Sequence, residues 1–193
     1  MKKVLVLLVV ASLSFWGCSE NSSITEPNDV QSNQSFLKIN NSDVSELSIE
    51  AKSALGSDGV NTLNKSFLPI EVIQTISAEG GEIRFLLADN QVYATGKLEI
   101  AKKSFSVDTP VTIAMVSTEA ALDFFPNVDF KKSAELTVGF IGVDVKVGDD
   151  VDFVYMDGDE EVSVKNKKII VGNGWVVVVK ARLDHFSRFG FTK

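Results

Sequence analysis

The 193-residue chain has one cysteine, Cys18, one histidine, His185, and only four prolines. With a single histidine and no cysteine beyond Cys18, a histidine-rich zinc site cannot be assembled within one chain. Neither a Gly-x-Ser-x-Gly elbow nor a phosphate-binding glycine loop occurs, so catalysis on a foreign substrate has no visible machinery and no cofactor is implied. Basic charge is short as well: 19 Lys and Arg stand against 26 Asp and Glu, a net charge of −7. An acidic chain repels phosphate backbones, and no basic stripe interleaved with aromatics offsets that, which excludes nucleic acid as a partner. The lysine pairs 102–103, 131–132 and 167–168 are scattered and read as solvated turns or edge strands. Also missing is an apolar run of about 20 residues, the length a membrane-spanning helix needs. The longest, Val4 to Trp16, is far shorter and is broken by Ser12 and Ser14.

That short run carries information of its own. Met1-Lys2-Lys3, the apolar stretch and Gly17-Cys18-Ser19 have the parts of a bacterial export signal, so residues 1–17 are expected to be cleaved off. Losing Lys2 and Lys3 makes the remainder two charges more negative. Cys18 stands where bacterial lipoprotein precursors carry their lipidated cysteine; Gly17 fits that resemblance, while Phe15 and Trp16 are bulkier than the usual residues. A lone thiol is a liability in an oxidising compartment, and thioether acylation removes it. Two or three acyl chains anchor a protein firmly. The expectation is a mature chain held to the bacterial cell envelope by lipid on Cys18. Ser19 resembles the residue that lets lipoproteins proceed to an outer membrane or the cell surface. An ordinary secretory signal that leaves a free cysteine is the alternative.

Residues 18–66 read as a lipid-anchored tether containing a short helix. From Ser19 to about Ser42 the chain is rich in Ser and Asn, and such a segment reaches about 25–30 Å. Asp43 with Glu46 makes a capping-box signal, and Val44, Leu47, Ala51 and Leu55 follow at near-helical spacing before Gly56, a short helix that reads as packed on the domain, with a partner-binding element as the alternative. From 67 to 193 the period changes to two. Ile83, Phe85 and Leu87 alternate with Arg84 and Leu86, as do Leu136, Val138 and Phe140 with Thr137 and Gly139. Val143, Val145 and Val147 repeat the pattern. Alternation of this kind puts one set of side chains on a core face. Turn signals fall at Gly80-Gly81, Asp89-Asn90, Gly148-Asp149, Asp157-Gly158 and Gly172-Asn173-Gly174, the last marking a hairpin. Eight or more short strands so punctuated predict an all-β fold, an antiparallel sandwich or barrel.

The segment Ile76-Ser77-Ala78-Glu79-Gly80-Gly81-Glu82-Ile83 resembles the opening glycine-pair hairpin of the ZU-five domain, the β-sandwich of ankyrins, netrin receptors and zonula occludens proteins. Leu98-Glu99-Ile100 and Val111-Thr112-Ile113 resemble its next strands. Phe125-Pro126 with Ser133-Ala134-Glu135-Leu136 resembles a later stretch, Ser133 replacing the usual proline. Leu183-Asp184-His185-Phe186-Ser187 resembles its closing signature. The resemblance covers about 70–190 and implies a binding or scaffolding module without catalytic activity.

It also implies one chemical alternative. In some relatives the His-Phe-Ser tripeptide cuts its own backbone: the serine hydroxyl attacks the preceding carbonyl, the histidine takes the proton, and the ester is hydrolysed. Here Ser187 would be the nucleophile, His185 the base and Phe186–Ser187 the broken bond. Strand parity from Trp175 through Val177, Val179, Ala181 and Leu183 puts His185 and Ser187 on one inward face. Residues two apart on a strand lie about 6.6 Å apart. Proton transfer needs about 3 Å, so a kink at Phe186 is required. The structural alternative is a buried histidine bonding a loop carbonyl. The acidic tract Asp157-Gly158-Asp159-Glu160-Glu161 offers hard oxygens that suit calcium, giving a third reading, a calcium-stabilised adhesion domain; a solvated hairpin tip is the plainer one. Asp149, Asp150 and Asp152 read as a polar turn, and Trp175 as core rather than a sugar platform.

Overall fold

The period-two segments become eleven strands among the described residues: β1 (Glu71–Ile76), β2 (Gly81–Asp89), β3 (Val92–Ile100), β4 (Thr109–Met115), β5 (Ala121–Phe125), β6 (Asp129–Ile141), β7 (Asp152–Asp157), β8 (Glu160–Ser163), β9 (Lys168–Gly172), β10 (Trp175–His185) and β11 (Arg188–Thr192). The computed structural model describes residues 36–40, 44–56, 68–89, 92–157 and 160–193. One sheet has the order β1-β4-β5-β11-β7-β8 and the other β2-β3-β6-β10-β9. Every pairing is antiparallel. Hairpins β2–β3, β4–β5, β7–β8 and β9–β10 stay within a sheet, and the links between them cross from one sheet to the other. The chain is an antiparallel β-sandwich.

Its interior is set by alternation. Ile83, Phe85 and Leu87 of β2 and Leu136, Val138 and Phe140 of β6 point inward and are buried. Phenylalanine dominates the space between the sheets: Phe124, Phe140, Phe153, Phe186, Phe189 and Phe191 are fully buried and meet ring to ring at centroid distances from 5.0 to 6.2 Å. Such spacing favours edge-to-face and offset contacts over a liquid-like packing.

Two expected strand features take other forms. The glycine pair at 80–81 does not close a regular hairpin. Gly80, at φ 84°, turns the chain from the edge of one sheet to the edge of the other, held by a single Ser77–Gly80 bridge. A Cβ there would stand 2.4 Å from the Ile100 carbonyl oxygen, so only glycine fits. Val143, Val145 and Val147 form no strand. Gly142 takes φ 91°, and the segment is tied instead to other loops: Asp144 N–H donates to the Lys38 carbonyl at 2.8 Å and Gly174 N–H to that of Val145 at 2.8 Å. Val143 and Val145 are buried while Val147 is exposed. The Gly172-Asn173-Gly174 hairpin is present: Trp175 pairs with Gly172, and Gly174 takes φ 77°.

Residues 36–40 and 44–56, read from the sequence as tether and a short helix, pack on the sandwich. Phe36–Asn40 form a strap across one end of the sandwich. Leu37 N–H donates to the Phe191 carbonyl at 2.7 Å, Ala120 N–H to that of Leu37 at 2.8 Å, and the Leu37 side chain joins the main core. Phe36 lies on the outer side of the six-stranded sheet with Ala121 and Val154. The helix α1 (Ile49–Leu55) lies on the outer side of the five-stranded sheet, burying Ala51 and Leu55, with Leu47 just before it, against Ile141, Trp175 and Val177. It starts later than the Asp43–Glu46 signal implied. Ser48 is the cap, its Oγ accepting from Ala51 N–H at 3.1 Å. Upstream, Ser45 N–H is spent on the Asn173 carbonyl at 2.9 Å, and Glu46 pairs with Lys52. Asp43, the Asp89-Asn90 turn at Asn90, and everything from Met1 to Ser35, including the leader, Cys18 and Ser19, lie outside the described residues.

Glycines receive this segment. A Cβ at Gly190 would come within 2.6 Å of the Phe36 ring, one at Gly139 within 3.0 Å of Leu55, and one at Gly174 within 2.9 Å of the Val44 backbone. Because the strap belongs to the fold, Leu37→Ala should lower unfolding free energy by about 3 kcal/mol, and Gly190→Val should destabilise by expelling Phe36. Val147→Ala, on an exposed loop, should stay within about 0.5 kcal/mol of the parent. Urea denaturation of the three variants checks this.

Candidate functional site

His185 ends β10, and how it gets there decides what it can do. The ladder with β6 slips between Val178 and Ala181, where Lys180 takes φ 52° and its N–H donates to Thr137 Oγ1 at 3.1 Å. That bulge inverts parity. Val177 faces α1, whereas Ala181 and Leu183 face the main core. The unbroken parity expected from Trp175 to Leu183 is therefore corrected. A second slip follows: Leu183 pairs with Ala134 but His185 with Asp129, so residues 130–133 of β6 arch out.

The chain then leaves the five-stranded sheet, passes through Phe186 and Ser187, and enters the other sheet as β11. Phe186 fills the corner. Its ring is fully buried against Phe130 at 4.6 Å, Phe124 at 5.4 Å and Phe105 at 6.3 Å. Its N–H donates to the Val128 carbonyl at 2.9 Å, and Phe124 N–H donates to the Ser187 carbonyl at 3.1 Å. The interior position that parity assigned to His185 and Ser187 belongs to Phe186.

His185 is half-buried on the flank, its ring edge-on to Tyr155 at 4.5 Å and tilted against Phe189 at 5.5 Å. Ser187 Oγ donates to the Arg188 carbonyl at 3.4 Å, a long contact. No hydrogen bond joins His185 to Ser187, so the kink at Phe186 is present without pairing base and nucleophile. Arg188 is held by Asp123, directly opposite on β5, through Nε at 2.7 Å and Nη2 at 2.9 Å. The hydrogen bond to Asp123 raises the Arg188 pKa.

Beside His185 a cleft of about 340 Å³ opens between the sheet edges, lined among others by Tyr155, Val162, Lys165, Arg182 and Asp184. Asp184 accepts from the Ser133 hydroxyl and from Arg182 Nε at 3.2 Å; the same Arg182 Nε lies 2.7 Å from Ser133 Oγ. The Ser133 hydrogen bond, then Arg182 and the nearby His185, hold the Asp184 carboxyl below the usual carboxylate range. The closing tripeptide pointed to this corner, but Tyr155 and Lys165 gave no signal. They lie 30 and 20 positions upstream and are brought in only by the topology.

The acidic tract is split. Asp157 pairs with Glu160 as the last rung of the β7–β8 hairpin, and Gly158 and Asp159 lie outside the described residues. Among the described residues, no group of three or more His, Cys, Asp or Glu is arranged to hold a metal ion. Trp175 is buried beneath α1, its Nε1 donating to Ser45 Oγ at 3.1 Å. Asp149 accepts from Lys146 N–H at 3.0 Å within a turn. No described helix is long and apolar enough to cross a membrane.

Comparison with known proteins returns nothing: no family model, no curated protein and no solved structure matches the chain.

Two outcomes follow. Phe186→Ala should cost about 4 kcal/mol, while Ser187→Ala stays within about 1 kcal/mol, as denaturant unfolding will show. Asp184, with a depressed folded pKa, stabilises the fold at pH above its unfolded value, and that contribution fades as pH falls through the folded one. Asp184→Asn should therefore flatten the acid limb of a thermal-midpoint-versus-pH curve, by a small amount because the group is solvent-screened.

Proposed function

We propose that this protein is a bacterial, lipid-anchored cell-envelope interaction or scaffolding module built on a ZU-five-type sandwich. The observation that supports an interaction role most directly is a pair of exposed apolar side chains, Ile73 and Phe125, flanking Thr112 on the outer face of the six-stranded sheet. Ile73 pairs with Thr112 and Thr112 with Phe125, so the three stand side by side across β1, β4 and β5. Ile73 is 63% exposed and Phe125 52%. Two large apolar groups exposed on one sheet face mark a surface that gains by being covered. Beside them β1 is a sheet edge whose six residues, Glu71–Ile76, contain neither lysine nor proline, the usual guards of an edge.

The lipid anchor rests on Cys18 and its leader. The strap lies at the end of the sandwich that carries Phe36, Ala120 and Val143. The His185 corner lies at the opposite end, since β10 runs away from the Asn173-Gly174 turn.

Photocrosslinking residues placed at Ile73 and at Phe125 in living cells should trap one and the same envelope partner, and Ile73→Asp should abolish the Phe125 crosslink. The same residue placed at exposed Val147 is the control. An identical pattern from Val147, or no adduct at either position, would refute the apolar pair as the interface. In the same cells Cys18→Ser should move the protein from the membrane to the soluble fraction, and intact mass should show an acylated chain unbroken at Phe186–Ser187.

A further inference from the structure

The cleft beside His185 is separate from the apolar pair and does not depend on it. Its origin is topological. β9 covers β10 only as far as Val179, which pairs with Lys168. Beyond that the Lys165 carbonyl, accepting from Arg182 N–H at 2.8 Å, is the last backbone link before the chain crosses to β8. The outer half of β10 is thus left uncovered on this side, facing Tyr155 and Val162 of the other sheet.

What stands around the gap is chemically uneven. Its floor is apolar, from Phe189, Val164 and the edge-on pair Tyr155–His185. Its rim carries Lys165 and Arg182. Among the described residues the Lys165 ammonium has no carboxylate partner, and the His185 nitrogens have no hydrogen-bond partner, the imidazole being held by ring contacts alone. Arg182 commits Nε to Ser133 and Asp184, which leaves its two terminal nitrogens. Asp184 is the one carboxylate lining the cleft, and it is occupied by Ser133 and Arg182. On a chain of net charge −7, a concavity lined by two cationic side chains, Lys165 and Arg182, and one engaged carboxylate is a local inversion of sign.

From this arrangement we propose that the cleft binds a small ring-bearing carboxylate. The ring lies on the Tyr155–His185 surface, and the carboxylate is held between Lys165 and the free terminal nitrogens of Arg182. Sugar acids and aromatic acids share that chemistry. Val162 and Phe189 bury the ring's apolar face, and a neutral sugar would leave the cations unpaired.

Isothermal titration of the full chain in detergent with galacturonate, benzoate and galactose tests this. Saturable binding of galacturonate or benzoate, with none of galactose, is the expected result, and which acid binds tells the sugar source from the aromatic one. Lys165→Gln should weaken that binding about ten- to a hundredfold. Tyr155→Ala should weaken it too, both variants being compared at an unchanged unfolding midpoint, while Lys97→Gln, on β3, leaves it unaltered. Lack of binding by both acids, equal binding of galactose, or full affinity in Lys165→Gln would each overturn the assignment. Should Tyr155→Ala prove unstable, Tyr155→Leu keeps the bulk and removes the aromatic face.

Discussion

The fold depends on phenylalanine meeting phenylalanine across the gap between two sheets. Phe105, Phe130, Phe186, Phe124, Phe189, Phe153, Phe191 and Phe140 form one continuous series of ring contacts. They come from both sheets and from the loops that join them. Each large planar side chain buries substantial apolar area and also fixes the angle of its neighbour. Tyr155 and His185 continue the series to the surface through Phe189. The lone histidine is therefore placed by the same packing that holds the core, and the cleft is the point where the aromatic series meets water.

Local pattern carried much of this architecture. β2 and the inner half of β6 were legible because solvent or a helix covers one face and core the other, so the alternation is clean. The Gly172-Asn173-Gly174 turn was legible for the same local reason. What failed was anything set by a distant partner. Val143, Val145 and Val147 alternate like a strand, yet Gly142 and the strap residue Lys38 draw them into a loop. The parity of β10 broke at Lys180, a residue type with no preference for the left-handed region, held there by the Thr137 hydroxyl of the next strand. The chain turns from one sheet to the other at Phe186, inside the Leu183 to Ser187 segment that the sequence singled out. The resemblance there could not show that Phe186, rather than the polar residues flanking it, turns inward.

The segment before the sandwich shows the same limit from another side. Its Ser and Asn content suggested a tether, and five residues, Phe36–Asn40, escape that composition by edge-like hydrogen bonds to β11 and the 116–120 loop. Their docking is recorded in the sandwich rather than in the segment. Gly190, Gly139 and Gly174 are small where Phe36, Leu55 and Val44 need room. Shape on the receiving surface, not propensity in the arriving one, decides where the body begins.

The place of β11 in its sheet has a bearing on how the molecule comes into being. It lies between β5 and β7, yet it follows every other strand along the chain. Until it is made, β1-β4-β5 and β7-β8 are two fragments with no ladder between them, and the strap has no Phe191 carbonyl to bind. Synthesis from the N-terminus cannot complete the six-stranded sheet before β11 is made. Closure joins the earliest and latest described segments in a single long-range event, the kind of step that loop-closure entropy makes slow. The six-stranded sheet stays in two parts until β11, the last described strand, is available to join them.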